Sequence, residues 1–110
     1  MADIQLEVCV DNAVGLLAAV DGGADRIELC SALELGGLTP SFGLMKQAAR
    51  MPLPVYAMIR PRPGDFVFND NDLAIMRDDI AMAREAGLTG VVLGASLDDG
   101  QLDADLLSKL

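Results

Sequence analysis

The sequence predicts an α/β protein made of (β/α) units of a TIM-type barrel, a half-barrel with about four of the eight units present. Three observations lead to this class. Four short apolar segments alternate with stretches of helical spacing, which implies parallel strands joined by right-handed crossovers. The apolar segments carry one aliphatic side and one polar side, which suits a barrel interior better than a sheet covered by helices on both faces. Eight-stranded barrels typically take ~250 residues. This chain has 110, enough for a single domain over residues 1–110 that holds half of such a barrel.

The strand segments are IQLEVCV (4–10), RIELC (26–30), VYAMIR (55–60) and GVVLGA (90–95). After the first, DNAVGLLAAVDGG has Asp11 as candidate N-cap, Val14 and Leu17 on one face, and Gly22 with Gly23 as the stop. The second helix is expected after Ser41, which caps it, with Leu44, Met45 and Ala48 turned inward. In the third, Asp72 is the expected cap, Leu73, Met76, Ile80 and Ala83 form an apolar stripe, and Gly87 ends it. A fourth is expected from near Asp103. A faint internal repeat supports the winding. LLAAVDGGADRIELC (16–30) overlays IAMAREAGLTGVVLG (80–94), pairing Ala19 with Ala83 and Gly23 with Gly87.

Alternation along a strand assigns the faces. Ile4, Leu6 and Val8 share one side, leaving Gln5, Glu7 and Cys9 on the other. Ile27 and Leu29 oppose Arg26, Glu28 and Cys30; Val55, Ala57 and Ile59 oppose Tyr56, Met58 and Arg60. Glu7, Cys9, Glu28, Cys30 and Arg60 therefore approach the C-terminal strand ends and point inward, where barrel enzymes hold their sites.

Two chemistries fit these residues. If the first two strands are neighbours, Cys9 and Cys30 are expected side by side, a soft site suited to Cu(I) or, with further ligands, to Zn²⁺. Alternatively, Glu7 and Glu28 act as an acid–base pair while Arg60, Arg62 and Asp65 hold a small anionic substrate, a phosphate or a carboxylate. The last three belong to RPRPGDFVFNDND (60–72), a loop that its prolines keep ordered. Structural readings stand beside both. A strand-end cysteine is often a small buried hydrophobe, inward Glu and Arg form ion-pair layers, and Arg62 can simply pair with Asp65. The loop LELGGLTPS (33–41) has the look of a glycine-containing anion cradle but lacks a phosphate-loop lysine.

Composition narrows the field. A net charge of −9 argues against nucleic acid and anionic membrane as partners. No apolar run reaches the ~20 residues of a membrane span, and MADIQ lacks a signal-peptide pattern. Two cysteines without an export signal then fit a reducing cytoplasm and free thiols. The chain has no histidine, which excludes histidine triads, shuttles and metal ligands within it.

LEVCVDN, GGADRIELCSALELGGLTPS, PVYAMIRPRPGDF and GVVLGASLDDGQLD closely resemble the CutC copper homeostasis family, from Ile4 to Leu110. The resemblance implies a cytoplasmic TIM-type barrel with a role in copper tolerance or trafficking. It also implies that Cys9 and Cys30 are the Cu(I) ligands. Members of the family run to roughly twice this length, as a full barrel requires. The chain is therefore expected to be the first half of one and to associate, as a homo-oligomer, to cover its open edges.

Overall fold

The computed structural model describes residues 3–110. It contains a four-stranded parallel sheet in the order β1-β2-β3-β4, formed by Glu7–Val10, Arg26–Leu29, Val55–Met58 and Gly90–Val92. Helices α1 (Ala13–Asp21), α2 (Phe42–Ala48), α3 (Asp70–Ala86) and α4 (Ala104–Ser108) follow the strands in turn, and a short 3-10 turn, Leu33–Leu35, precedes α2. The strand cores are shorter than the apolar segments that announce them. β1 begins at Glu7 rather than Ile4, and just before it the Leu6 N–H is taken by the Asp25 carboxylate at 2.6 Å.

The aliphatic side of the sheet is the packed one. Ile27, Leu29, Val55, Ala57 and Ile59 are fully buried, and Leu16, Met45, Ala48, Met76 and Ala83 from α1, α2 and α3 join them in one core. This follows from alternation, since every second residue of a strand shares a face. The opposite side of the sheet carries Glu7, Cys9, Arg26, Glu28 and Tyr56 and has no helix packed over it.

Two expected caps fall on other residues, one and three positions away. Asn12, not Asp11, caps α1 by accepting from the Gly15 N–H at 2.7 Å, while Asp11 accepts instead from the Leu33 N–H at 3.1 Å. Asn69, not Asp72, caps α3; Asp72 occupies the third helical position and completes a reciprocal capping box. Ser41 and Asp103 cap α2 and α4 as expected. The inward residue of α1 is Leu16, whereas Val14 and Leu17 face solvent at 79% and 51% exposure.

The internal repeat has a structural counterpart. Gly23 and Gly87 take the left-handed conformation at φ +95° and +90°, and the next N–H in each case returns to the paired alanine, Ala24 to Ala19 O and Leu88 to Ala83 O. Both helices thus end in the same glycine-dependent motif before the chain enters the next strand.

Candidate functional site: the thiol–carboxylate face

β1 and β2 pair in a register that sets Glu7 opposite Arg26 and Cys9 opposite Glu28. The partners lie nineteen residues apart in sequence, as the Cys9–Glu28 contact shows, whereas Cys9 and Cys30 are separated by twenty-one. The thiols therefore share a face but are staggered by two residues, ~6.6 Å along the strand direction. This corrects the side-by-side arrangement expected from strand adjacency alone. Glu28 sits between them: the Cys9 thiol donates to its Oε2 at 3.7 Å, and the Cys30 thiol donates to its main-chain carbonyl at 3.9 Å. Both cysteines are free.

The two thiols differ in access. Cys9 is exposed and Cys30 is 1% exposed. What covers Cys30 is the glycine-containing loop after β2. It folds back through a Ser31–Leu38 bridge and brings Gly37, at φ +94°, so close that a Cβ there would lie 3.3 Å from the sulfur. The N–H groups of Gly36 and Gly37 are spent within this loop, on Leu33 O and Ala32 O, and so are not free to cradle an anion.

Both thiols are held protonated. Burial pushes the Cys30 thiol up to about 12, helped by the negative charges of Glu28 and Asp11 and by Cys9. Cys9 also lies above its usual value, through partial burial first and then the neighbouring Glu28 carboxylate. The same carboxylates that hold the protons make the face attractive to a cation. Among the described residues, no three or more Cys, Asp or Glu side chains converge as a metal cage. The donors here are the exposed Cys9 thiol, the covered Cys30 thiol and the Glu7 and Glu28 carboxylates, of which sulfur is the kind that favours soft ions.

Arg60 and Arg62 stand apart from this face. Arg60 is buried among the loops that follow β2 and β3. Its terminal nitrogens donate to Leu35 O at 2.9 Å, Gly37 O at 3.3 Å and Gly64 O at 2.8 Å, and its guanidinium lies over the Phe66 ring. Arg62 bonds Asp65 and Asp72, each at 3.2 Å, and the carbonyls of Pro63, Asp65 and Val67. Asp65 also accepts from the Val67 N–H. These three residues order the 60–72 loop. Glu7 pairs with Arg26 at 3.5 Å, and Arg26 lies over the Tyr56 ring at 5.5 Å. Alternation had put Arg26 and Tyr56 on the inward side, but nothing local distinguished them as site residues.

Fold and site together define a parallel α/β protein with two thiols and a carboxylate at adjacent strand ends. The chain belongs to the CutC family, whose profile matches residues 4–110. It is 69% identical over its full length to a CutC family protein of Rhizobium meliloti, of which it covers 45%. It is 58% identical over 108 residues to one from Aliivibrio fischeri, covering 97% of this chain and 44% of that one. The crystal structure of CutC from Streptococcus agalactiae superposes with a TM-score of 0.90 at 36% identity, over 97% of this chain and 53% of that one. The chain thus spans about half the length of the relatives it matches.

Proposed function

We propose that the chain serves copper homeostasis by binding Cu(I) through Cys9 and Cys30. The Streptococcus agalactiae neighbour is named for copper homeostasis. The observation that carries the reading is that both thiols bracket one residue, Glu28, on the inner face of adjacent strands. Exposed Cys9 would hold the ion first, with Glu28 the nearest acceptor for its thiol proton. For Cys30 to supply the second sulfur, the loop at Gly37 would have to move off it and its own thiol proton would have to leave to solvent. Soft thiolates favour Cu(I) over harder ions. The reading fits a reducing cytoplasm, where such thiols stay free. Titration of Cu(I) into the wild type, Cys9→Ser and Cys30→Ser, under reducing anaerobic conditions, tests it. Loss of tight uptake in both variants supports the site, and equal uptake by all three overturns it.

The sheet is best read as half of an eight-stranded barrel. The sequential strand order, the helix-covered aliphatic side and the polar open side all support this. So does the unpaired outer edge of β1, flanked by Ile4 at 89% exposure and Leu6 at 53%. Where the chain stands alone, a second copy supplies the missing four strands. A dilute, monodisperse monomer in light scattering rules this association out.

A second reading, an enzyme acting on a small anionic substrate, is favoured by Glu7 and Glu28 standing on the same open face. Those glutamates are its acid and base, with Arg60, Arg62 and Asp65 shaping the mouth. A bound phosphate or carboxylate on that face in a crystal structure supports it; an interior plugged by side chains in the closed barrel removes it.

A further inference from the structure

An anion entering the open face needs a guanidinium with free donors, and the three arginines near it differ in this respect. Arg60 spends its terminal nitrogens on three main-chain carbonyls, and Arg62 is encircled by two carboxylates and three carbonyls. Among the described residues, the Arg26 side chain makes one ion pair, through Nε to Glu7 Oε1 at 3.5 Å. That contact misses hydrogen-bond geometry, so Nε is buried and unpartnered, while the side chain as a whole is 41% exposed.

The guanidinium is also held in place. It lies 5.5 Å from the Tyr56 ring centroid, a cation–π distance. Tyr56 in turn packs closely against β4, because Gly90 offers no side chain: a Cβ there would lie 3.0 Å from two ring carbons. Tyr56 is the register partner of Glu28, which itself partners Cys9. Arg26 itself is the register partner of Glu7, so its guanidinium lies between that carboxylate and the Tyr56 ring on the face that carries Cys9 and Glu28.

We propose that Arg26, braced by Glu7 and stacked on Tyr56, takes the oxyanionic group, phosphate or carboxylate, of a small ligand on the inner face. The inference rests on the second reading above and moves the anchor from the mouth loop to the second strand. A planar guanidinium with its terminal N–H pair free matches a phosphate or carboxylate in bidentate fashion. Glu7 and Glu28 flank it and disfavour a bare, highly charged anion. They select instead a ligand whose oxyanion comes with a hydroxyl or ammonium donor.

The molecule contains its own reporter. Tyr56 is the single tyrosine and there is no tryptophan, so intrinsic fluorescence reads the ring on which Arg26 stacks. The 110-residue chain is titrated with inorganic phosphate, at a pH where it is largely monoanionic and so carries hydroxyl donors, and separately with glycolate, a carboxylate with a hydroxyl. The wild type is expected to give a saturable change with at least one of them, which tells phosphate from carboxylate preference. Arg26→Gln should weaken that response at least about tenfold, the loss of a charge-assisted bond. Arg26→Lys, which keeps charge and stem without the fork, should weaken it less. Arg50→Gln, on the exposed surface after α2, should leave it unchanged. If the wild type responds and both Arg26 variants match it, the inference falls while the anion reading survives on other residues. If the wild type responds to neither anion, the anion reading falls and takes the inference with it.

Discussion

Cys9 and Glu28 are register partners across β1 and β2, with the thiol 3.7 Å from the carboxylate. The pair places a soft nucleophilic sulfur beside its own proton acceptor, at the open side of the sheet. A negative neighbour keeps the thiol protonated, and a cation bound there under the proposed function would have to displace that proton.

The first prediction concerns thiol reactivity. Cys9 is exposed but raised in pKa, chiefly by partial burial and then by Glu28. Alkylation at about pH 8 should therefore be slower than for an ordinary thiol, since only the thiolate reacts. Glu28→Gln removes a charge that raises the pKa and should speed Cys9 several-fold, up to about tenfold per pKa unit recovered. Buried Cys30 should stay unmodified in the folded chain. Timed alkylation read by mass spectrometry checks all three outcomes, and faster labelling of Cys30 than of Cys9 would contradict them.

A second prediction follows from the buried thiol. Cys30 moves from an ordinary 9.0 to about 12 on folding. The folded chain thus keeps a proton that the unfolded chain releases, so this contribution to stability is fully present below 9.0 and is lost as pH rises towards about 12. Urea midpoints measured across the alkaline range should fall in the wild type and fall less steeply in Cys30→Ser.

Arg60 offers a third. Its guanidinium joins the loop after β2 to the loop after β3 by way of three carbonyls and the Phe66 ring. Arg60→Lys keeps the charge but cannot reach all three acceptors, of which the bond to Gly37 O is buried and the other two half-buried, at a cost of about 1–3 kcal/mol. Denaturant unfolding measures it; a change within experimental error would show that the loops hold without this side chain.

The fourth concerns Gly90, whose backbone is not in the left-handed region, so only space limits it. Gly90→Ala sets a methyl within 3.0 Å of the Tyr56 ring. Overpacking of this kind costs about 1–3 kcal/mol. The ring must give way, so tyrosine fluorescence should change together with the unfolding midpoint, and an unchanged spectrum would count against this close contact.

Much of the fold was legible locally. Residues 55–60 declared their buried side by alternation, and Val55, Ala57 and Ile59 are all buried. The stripe Leu73, Met76 and Ala83 declared the inner face of α3 by helical spacing. Caps were legible only to within one turn, because Asp11, Asn12, Asn69 and Asp72 are all competent caps and backbone geometry chooses among them. Asp11 lost that role to a partner far along the chain, the Leu33 N–H. Alternation placed Glu7, Cys9 and Glu28 on one face of the sheet, but Arg60, expected beside them, is taken up by loop carbonyls instead.

The sequence by itself determined the strand–helix alternation, the two faces of each strand, and the glycine stops at Gly23 and Gly87. Each of these is a local matter of side-chain period or backbone freedom. Only the tertiary structure decided that β2 slides against β1 by nineteen residues rather than twenty-one, which puts Glu28 and not Cys30 opposite Cys9. It alone decided that Arg60 is taken up by carbonyls while Arg26 is left available. Strand register and loop return are set by partners remote along the chain, through packing and hydrogen bonds that no local period encodes.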